Sequence, residues 1–574
     1  VTWNQWLYDT STDSDYMGLY MDAPYSYHFN AEKTGYEVVP SMMASNPIPV
    51  DSNITPTGKE ISTTWRFEVR DDLEWFFHPS TNTSYITKTT IDAEDFVATF
   101  KLALTNNWFR AVSGGGDFLN TTTGIKGAKA FADDPTEANW ANVGIKLIDQ
   151  YTFEFEFLNE QSEWNVRYFM SSFVMTPVNL EMYNELGDVD DGGTYGTSNT
   201  TIAYHGPFYV DYYEADKTLV YKQNTNYHTP DEYFYTGYEF QIINDAAIRF
   251  NEFIAGKLES VSLPTENYDD YKNHPGLKRI PGATTFRMMI NGLGTVEAQQ
   301  QQFPGSTYVP EPLLADDNFK MALFFAVDRK YLAETVLKTS QTQMYLFSDA
   351  YLVEPEEGIP YRQTPQGLTV GQGLAPGQNG YNKDAAIAYW ELAIEKLVAD
   401  GVYDEGDTIN LDFYVFSGSE AQTLLGQYIK STFEDTFKHA ELGINVIINV
   451  EPKDFPGIYY EYMMTGNFDL AIGGISGSTL DAASFLDVFS DDNRGGFTLN
   501  WGIDTTTANI GVEYNDGTED LKEVWSFNAI TAVLNGEAYI LEGEEADVPN
   551  AVIDMTSITP TGFSFTIDQF DNDA

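Results

Sequence analysis

The sequence predicts an α/β fold, and three observations carry that prediction. Period-two apolar stretches alternate along the chain with stretches of helical period. Two apolar strand patterns near the C-terminal third flank one amphipathic helix, a βαβ unit. The chain has 574 residues, 42% of them hydrophobic and 15% aromatic, enough for several domains with large cores.

In chain order, Thr63–Trp75 alternates like a half-buried strand. A helix follows in "TTIDAEDFVATFKLAL", with Thr90 or Asp92 as its cap and Phe96, Phe100 and Leu104 on one face. Gln150–Glu160 is a strand with Phe153, Phe155 and Phe157 on one side, and Lys217–His228 is another that ends in a polar turn. Asp245–Ser260 reads as a helix to Gly256, with Ile248, Phe253 and Ile254 as its buried stripe. Phe286–Gly292 is a short apolar strand. Asp316–Leu337 reads as two consecutive helices, the second capped by Asp328. Gly-rich 363–380 is a surface loop, followed by a helix with Ile387, Trp390, Ile394 and Leu397 inward and Gly401 at its end. "INLDFYVF" and "INVIINVE" then flank a helix over about 422–437.

That unit leads into "DLAIGGISGSTLDAASFLDVF", Asp469–Phe489. Leu470–Ile472 is expected as a strand, Gly473–Thr479 as a loop of small residues, and the rest as a helix. Glycines let backbone approach a ligand, and a helix start offers free N–H groups. No lysine follows in P-loop spacing, and Gly474-Ile-Ser476-Gly-Ser478 misses G-x-S-x-G by its last residue.

Lys and Arg number 31 against 86 Asp and Glu, a net charge of −55. Such a surface repels nucleic acid and anionic membrane. Cysteine is absent, which removes disulfides, Cys-ligated metal and thiol catalysis. No two of the six histidines stand at i, i+4, and "DVDDGG" at Asp188–Gly193 lacks a calcium-loop register. No metal and no cofactor is expected. With so many carboxylates some acid pair is always at hand, so composition lends a glycosidase no support, and no enzyme is expected. The longest apolar run, Met321–Val327, falls far short of a membrane span.

The order of segments resembles the family 5 extracellular solute-binding proteins of ABC importers, the oligopeptide- and dipeptide-binding type. The resemblance rests on "YEVVPSMMAS", "DDLEW…TTIDAEDFVATFKLAL", "YHGPFYVDYYEADKTLVYKQNTNYH", "FQIINDAAIRFNEFIAGKLESV", "DDNFKMALFFAVDRKYLAETVL" and "FDLAIGGISGSTLDAASFLDVF", which span about 36–502. It implies a two-lobed, periplasmic-binding-protein-like fold of class II type, with a hinge and a small extra domain. Lobe I would be 1–50 plus 181–283, the extra domain 51–180 and lobe II 284–496, with crossings near 284–285 and 498–501. Residues 497–574 would return to lobe I and continue as a strand-rich appendage.

It also implies capture of a small solute, most simply a peptide, and delivery to permease subunits by a monomer. The alternatives are a sugar, an opine or a metal chelate, or a surface adhesin or chaperone-like binder. The place implied is the outer face of the membrane, with a lipid anchor in a longer precursor, or the periplasm. Implied ligand contacts are Ser476, Gly477, Ser478, Thr479 and Asp481 in the late loop, and Tyr204, His205 and Gly206 beside "GPFY". Arg287, Asn291, Trp501 and Tyr20 complete the set. Three departures stand out. Ser478 occupies the place of the family's ammonium-binding aspartate, with Asp481 the nearest acid. Ile475 replaces a tryptophan. Residues 503–574 lack the family's closing helices.

Overall fold

The computed structural model describes residues 2–485, except 9–10, 56–57, 113–117, 121–123, 343–345, 371–378, 456 and 483–484. Beyond these it describes the backbone of short strands between 510 and 565. The chain divides into two units, Val1–Arg249 and Phe250–Ala574.

In the first unit the hairpin β1 (Tyr25–Phe29) and β2 (Tyr36–Pro40) precedes β3 (Glu60–Glu68). The expected strand at Thr63–Trp75 thus starts earlier and stops at Glu68; Val69 makes only a single bridge to Met43. Helix α1 (Ala93–Thr105) is capped by Asp92, whose N–H in turn reaches Asp95. Strands β4 (Ile145–Asp149) and β5 (Thr152–Ser162) complete an antiparallel sheet with β3. Phe153 of β5 stacks on Phe67 of β3 at 5.0 Å and on Phe96 of α1 at 5.6 Å, so the alternating phenylalanines form the core. Segment 51–180 shares this core with Trp3, Tyr20 and Tyr204 from either side of it in the chain.

A meander of β6 (Phe208–Glu214), β7 (Thr218–Gln223) and β8 (Gly237–Gln241) follows. Helix α2 (Ala246–Ile254) then buries Phe250, while Ile248 and Ile254, expected on its inner stripe, are exposed. Phe250 instead packs edge-on against Tyr271 at 5.0 Å, so this aromatic contact, and not the pair of isoleucines, marks the buried side.

Residues 250–283 pack within the second unit. The Lys338 ammonium lies 2.7 Å from Asp269, and Thr265 Oγ1 donates to Leu337 O. Strand β9 (Thr285–Ile290) leads to α3 (Asp317–Ala326), capped by Asp316, and a second helical stretch capped by Asp328. The region expected as a Gly-rich loop begins with a helical turn, Pro365–Val370. Helix α4 (Lys383–Ala399), capped by Asn382, buries Trp390, Ile394 and Leu397. Strand β10 (Thr408–Phe416), α5 (Glu420–Thr436) and β11 (Ile444–Lys453) form the expected parallel βαβ unit. Strand β12 (Leu470–Ile475) inserts between β9 and β10, antiparallel to the first and parallel to the second.

Candidate functional site

The strand expected at Leu470–Ile472 runs on through both glycines to Ile475. Gly473 pairs with Arg287 and Gly474 with Phe286, so ladder partners on β9 hold the glycines extended. Gly473 also leaves room for a neighbour: a Cβ there would stand 2.8 Å from Met289 Cε.

The loop after β12 is pinned to its own unit. Gly477 N–H donates to Tyr351 Oη at 2.8 Å, and Tyr351 Oη donates to Ala283 O at 2.7 Å. Leu352 N–H donates to Thr479 O at 2.8 Å. Tyr351 stacks on Phe485 at 5.0 Å, within a small core that includes Ile475 and Ala482. The Gly477 amide, expected to face a ligand, is therefore taken by a phenol. Ser476 is exposed, and Ser478, Thr479 and Asp481 are half-buried. The helix expected after Asp481 lies outside the described residues, as does Trp501 with its crossing.

These loop residues follow the carboxyl end of β12, next to β10, where α/β sheets bind ligands. In that row Arg287 faces Gly473 across β9 and β12, and Phe416 faces Lys453 across β10 and β11. A π-helical turn, Ile458–Met463, brings Tyr459 and Tyr462 here. The Lys453 ammonium lies 5.4 Å from the Tyr414 ring and 5.0 Å from the Tyr462 ring. Burial lowers the pKa of Arg287, and the Tyr459 phenol opposes that. Asn291, at the far end of β9, is fully buried. Its amide donates to Gln299 Oε1 at 3.1 Å and Gly466 O at 3.0 Å, so it stands away from the loop and serves the fold.

In the first unit Tyr20, Tyr204, His205 and Gly206 come together. The rings of Tyr20 and Tyr204 meet at 5.6 Å, and Gly206 N–H donates to Tyr20 O at 3.0 Å. Both phenols are buried and used internally: Tyr20 Oη donates to Trp3 O and Tyr204 Oη to Asn199 O. His205 Nδ1 accepts the Asp22 N–H at 3.1 Å, and burial lowers its pKa to about 4. Nothing in the sequence pointed to Asp22, Tyr351, Tyr462 or Lys453, whose partners are distant in the chain or follow an irregular turn.

The "DVDDGG" loop is structural. Asp188 accepts from Tyr183 Oη at 2.8 Å, Trp108 Nε1 at 3.0 Å and Asp190 N–H at 2.9 Å. Among the described residues no group of three or more His, Asp or Glu is placed to hold a metal, and no helix is long and apolar enough to cross a membrane. What these surfaces offer is hydroxyls, aromatic rings and cations on a rigid strand end, the furniture of a binding site.

The pattern defining "Bacterial extracellular solute-binding proteins, family 5 Middle" matches residues 55–497. Similar curated proteins include the oligopeptide-binding protein AliB of Streptococcus pneumoniae, 23% identical over 78% of this chain and 68% of its own. The periplasmic murein peptide-binding protein MppA of Escherichia coli is 23% identical over 53% of this chain and 51% of its own. Among solved structures, the substrate-binding domain of an oligopeptide ABC transporter from Bacillus anthracis superposes with a TM-score of 0.61 at 19% identity, covering 87% of this chain and 81% of that one. Listeria monocytogenes OppA bound to peptide superposes with a TM-score of 0.61 at 16% identity, covering 87% and 83%. The fold class is that of the two-lobed α/β binding proteins.

Proposed function

Because the chain belongs to the bacterial extracellular solute-binding proteins, family 5, we propose that it captures a peptide outside the cell and hands it to the permease of an ABC importer. The observation that carries this reading is the family match over residues 55–497, which includes the pinned loop at the end of β12. The chain does this without catalysis, as a monomer, held at the membrane by a lipid or free in a periplasm. Ser476, Ser478 and Thr479 supply hydroxyls to the peptide backbone, Arg287 supplies charge, and Asp481 holds the turn. In the first unit, Tyr204, His205 and Gly206, on Tyr20, are candidate ligand contacts. Ser478 carries no charge, so the ammonium of the peptide is not gripped at that position. Native mass spectrometry of the freshly purified protein tests the reading. A bound mass that fragments as a peptide is the expected result; a bound sugar or metal chelate would replace it.

A further inference from the structure

Asp22 ties together several chain segments. Its N–H donates to His205 Nδ1 at 3.1 Å. Its Oδ1 accepts from Ala23 N–H at 2.7 Å and Ser41 Oγ at 2.8 Å, and its Oδ2 lies 2.8 Å from His228 Nε2. The Asp22 and His228 side chains are 5% and 4% exposed, and His205 is buried. An imidazole accepting at Nδ1 carries its proton at Nε2. His205 Nε2 has no hydrogen-bond partner among the described residues, so the Asp22 N–H is the one polar tie on that ring. The next residue brings the two backbones into contact: a Cβ on Gly206 would stand 2.5 Å from the Tyr20 carbonyl carbon.

We propose that His205 is a positioning residue that acid releases: neutral, it locks Tyr204–Gly206 onto Tyr20–Asp22, and as an imidazolium it lets go. The effect on binding rests on the reading above, which makes Tyr204–Gly206 a ligand contact; the latch itself does not. An imidazolium bears hydrogen on both nitrogens, so Nδ1 no longer accepts and two donors face each other. The Asp22 carboxylate favours that charge and His228 opposes it. Trp75, edge-on at 5.7 Å, is uncharged. Further out, Arg70 feels Asp22, Asp72 feels His228, and the buried phenols of Tyr227 and Tyr233 stay protonated. Burial outweighs all of these, so release belongs near pH 4 and the latch is shut at neutrality.

His205→Asn tests this, since its Oδ1 stands where Nδ1 stood, accepts the same N–H and takes no proton. Hydrogen exchange, corrected for intrinsic rate, is followed at 19–23 and 204–208 from pH 7 to 3.5. The parent is expected to lose about tenfold protection in both segments, the worth of one hydrogen bond, and the variant almost none. Equal losses in both overturn the proposal. Should His205→Asn not fold, His228→Gln keeps a donor toward Asp22 and removes the opposing charge. The release midpoint then moves up in pH, and an unmoved midpoint overturns the latch. Calorimetric titration with a neutral hexapeptide pool adds the functional arm. Parent affinity falls at least tenfold from pH 6 to 3.5, and that of His205→Asn changes little. Absence of binding at pH 7 sinks the peptide reading alone, while exchange still decides the latch.

Discussion

The phenol of Tyr351 sits between Gly477 and Ala283, accepting the N–H of one at 2.8 Å and donating to the carbonyl of the other at 2.7 Å. A side chain 126 residues upstream thus fixes the loop that follows β12. Tyr351→Phe keeps the stack on Phe485 and strands two backbone groups. We expect a loss of about 2–3 kcal/mol in chemical denaturation. Peptide affinity should weaken as well, because the loop must be ordered on binding. An unchanged affinity beside a lowered stability would show that the loop does not touch the ligand.

Asp481 is the nearest acid to Ser478, the place where the family resemblance implies an ammonium-binding aspartate. Its N–H donates to Ser478 O at 3.3 Å, which makes it part of the turn. We expect Asp481→Asn to leave peptide affinity within about threefold in calorimetric titration. A charge-assisted hydrogen bond is worth about 1.5–3 kcal/mol, so a loss of roughly 10- to 150-fold would instead make Asp481 the ammonium partner.

Gly206 and Gly473 respond differently to one added methyl. At Gly206 the Cβ would meet the backbone of Tyr20 and Met21 at 2.5–2.7 Å, and nothing there can turn aside. Gly206→Ala should cost about 3 kcal/mol. At Gly473 the clash is with the flexible end of Met289, so Gly473→Ala should stay within about 1 kcal/mol. Thermal melts of the two variants give the order, and a reversed order would mean that Met289 cannot move.

Acid acts on stability in two senses. His205 has its pKa lowered to about 4 by burial, so its contribution is complete above the unfolded value near 6.5 and is lost as pH falls toward 4. Asp469 has its pKa raised to about 6, chiefly by burial, so it strains the fold at neutrality and is relieved as pH falls from 6 to 3.8. Each amounts to about 3 kcal/mol. Between pH 7 and 4, the stability of Asp469→Asn relative to the parent should therefore fall by about that amount. Urea titrations at both pH values check the sign.

The charge of −55 predicts a salt response. Raising ionic strength from about 0.1 to 1 M shortens the screening length from about 10 to 3 Å. Self-repulsion falls with it, and the melting temperature should rise steadily in sodium chloride. A flat or falling curve would mean that the acids are already neutralised locally.

Elements whose signal is local were readable in advance. Asp92 and Asp328 cap the helices they precede, and Phe153, Phe155 and Phe157 face one core because a strand alternates. The βαβ unit followed from two apolar runs and a helix between them. What escaped depends on partners far off in sequence. The glycines of β12 continue a strand only because β9 lies beside them. Ile248 and Ile254 looked like a buried stripe, yet Phe250 takes the inner position against Tyr271. In the candidate site, the order of motifs led to the loop after β12, whereas its anchor Tyr351 and the Asp22 junction carry no local pattern. Asp22 and His228 are 206 positions apart.

Thr285 and Ile475 pair directly, one opening β9 and the other closing β12. Paired residues in antiparallel strands lie about 5 Å apart, so the span 285–475 begins and ends at one spot. A segment of that kind behaves as a cassette. It can be lifted out and replaced by the equivalent span of a relative, or its ends joined by a short linker and new termini opened at an exposed tip such as Gly406. Exchange of the whole span between lineages would then require only two splice points, both at the same edge of one sheet.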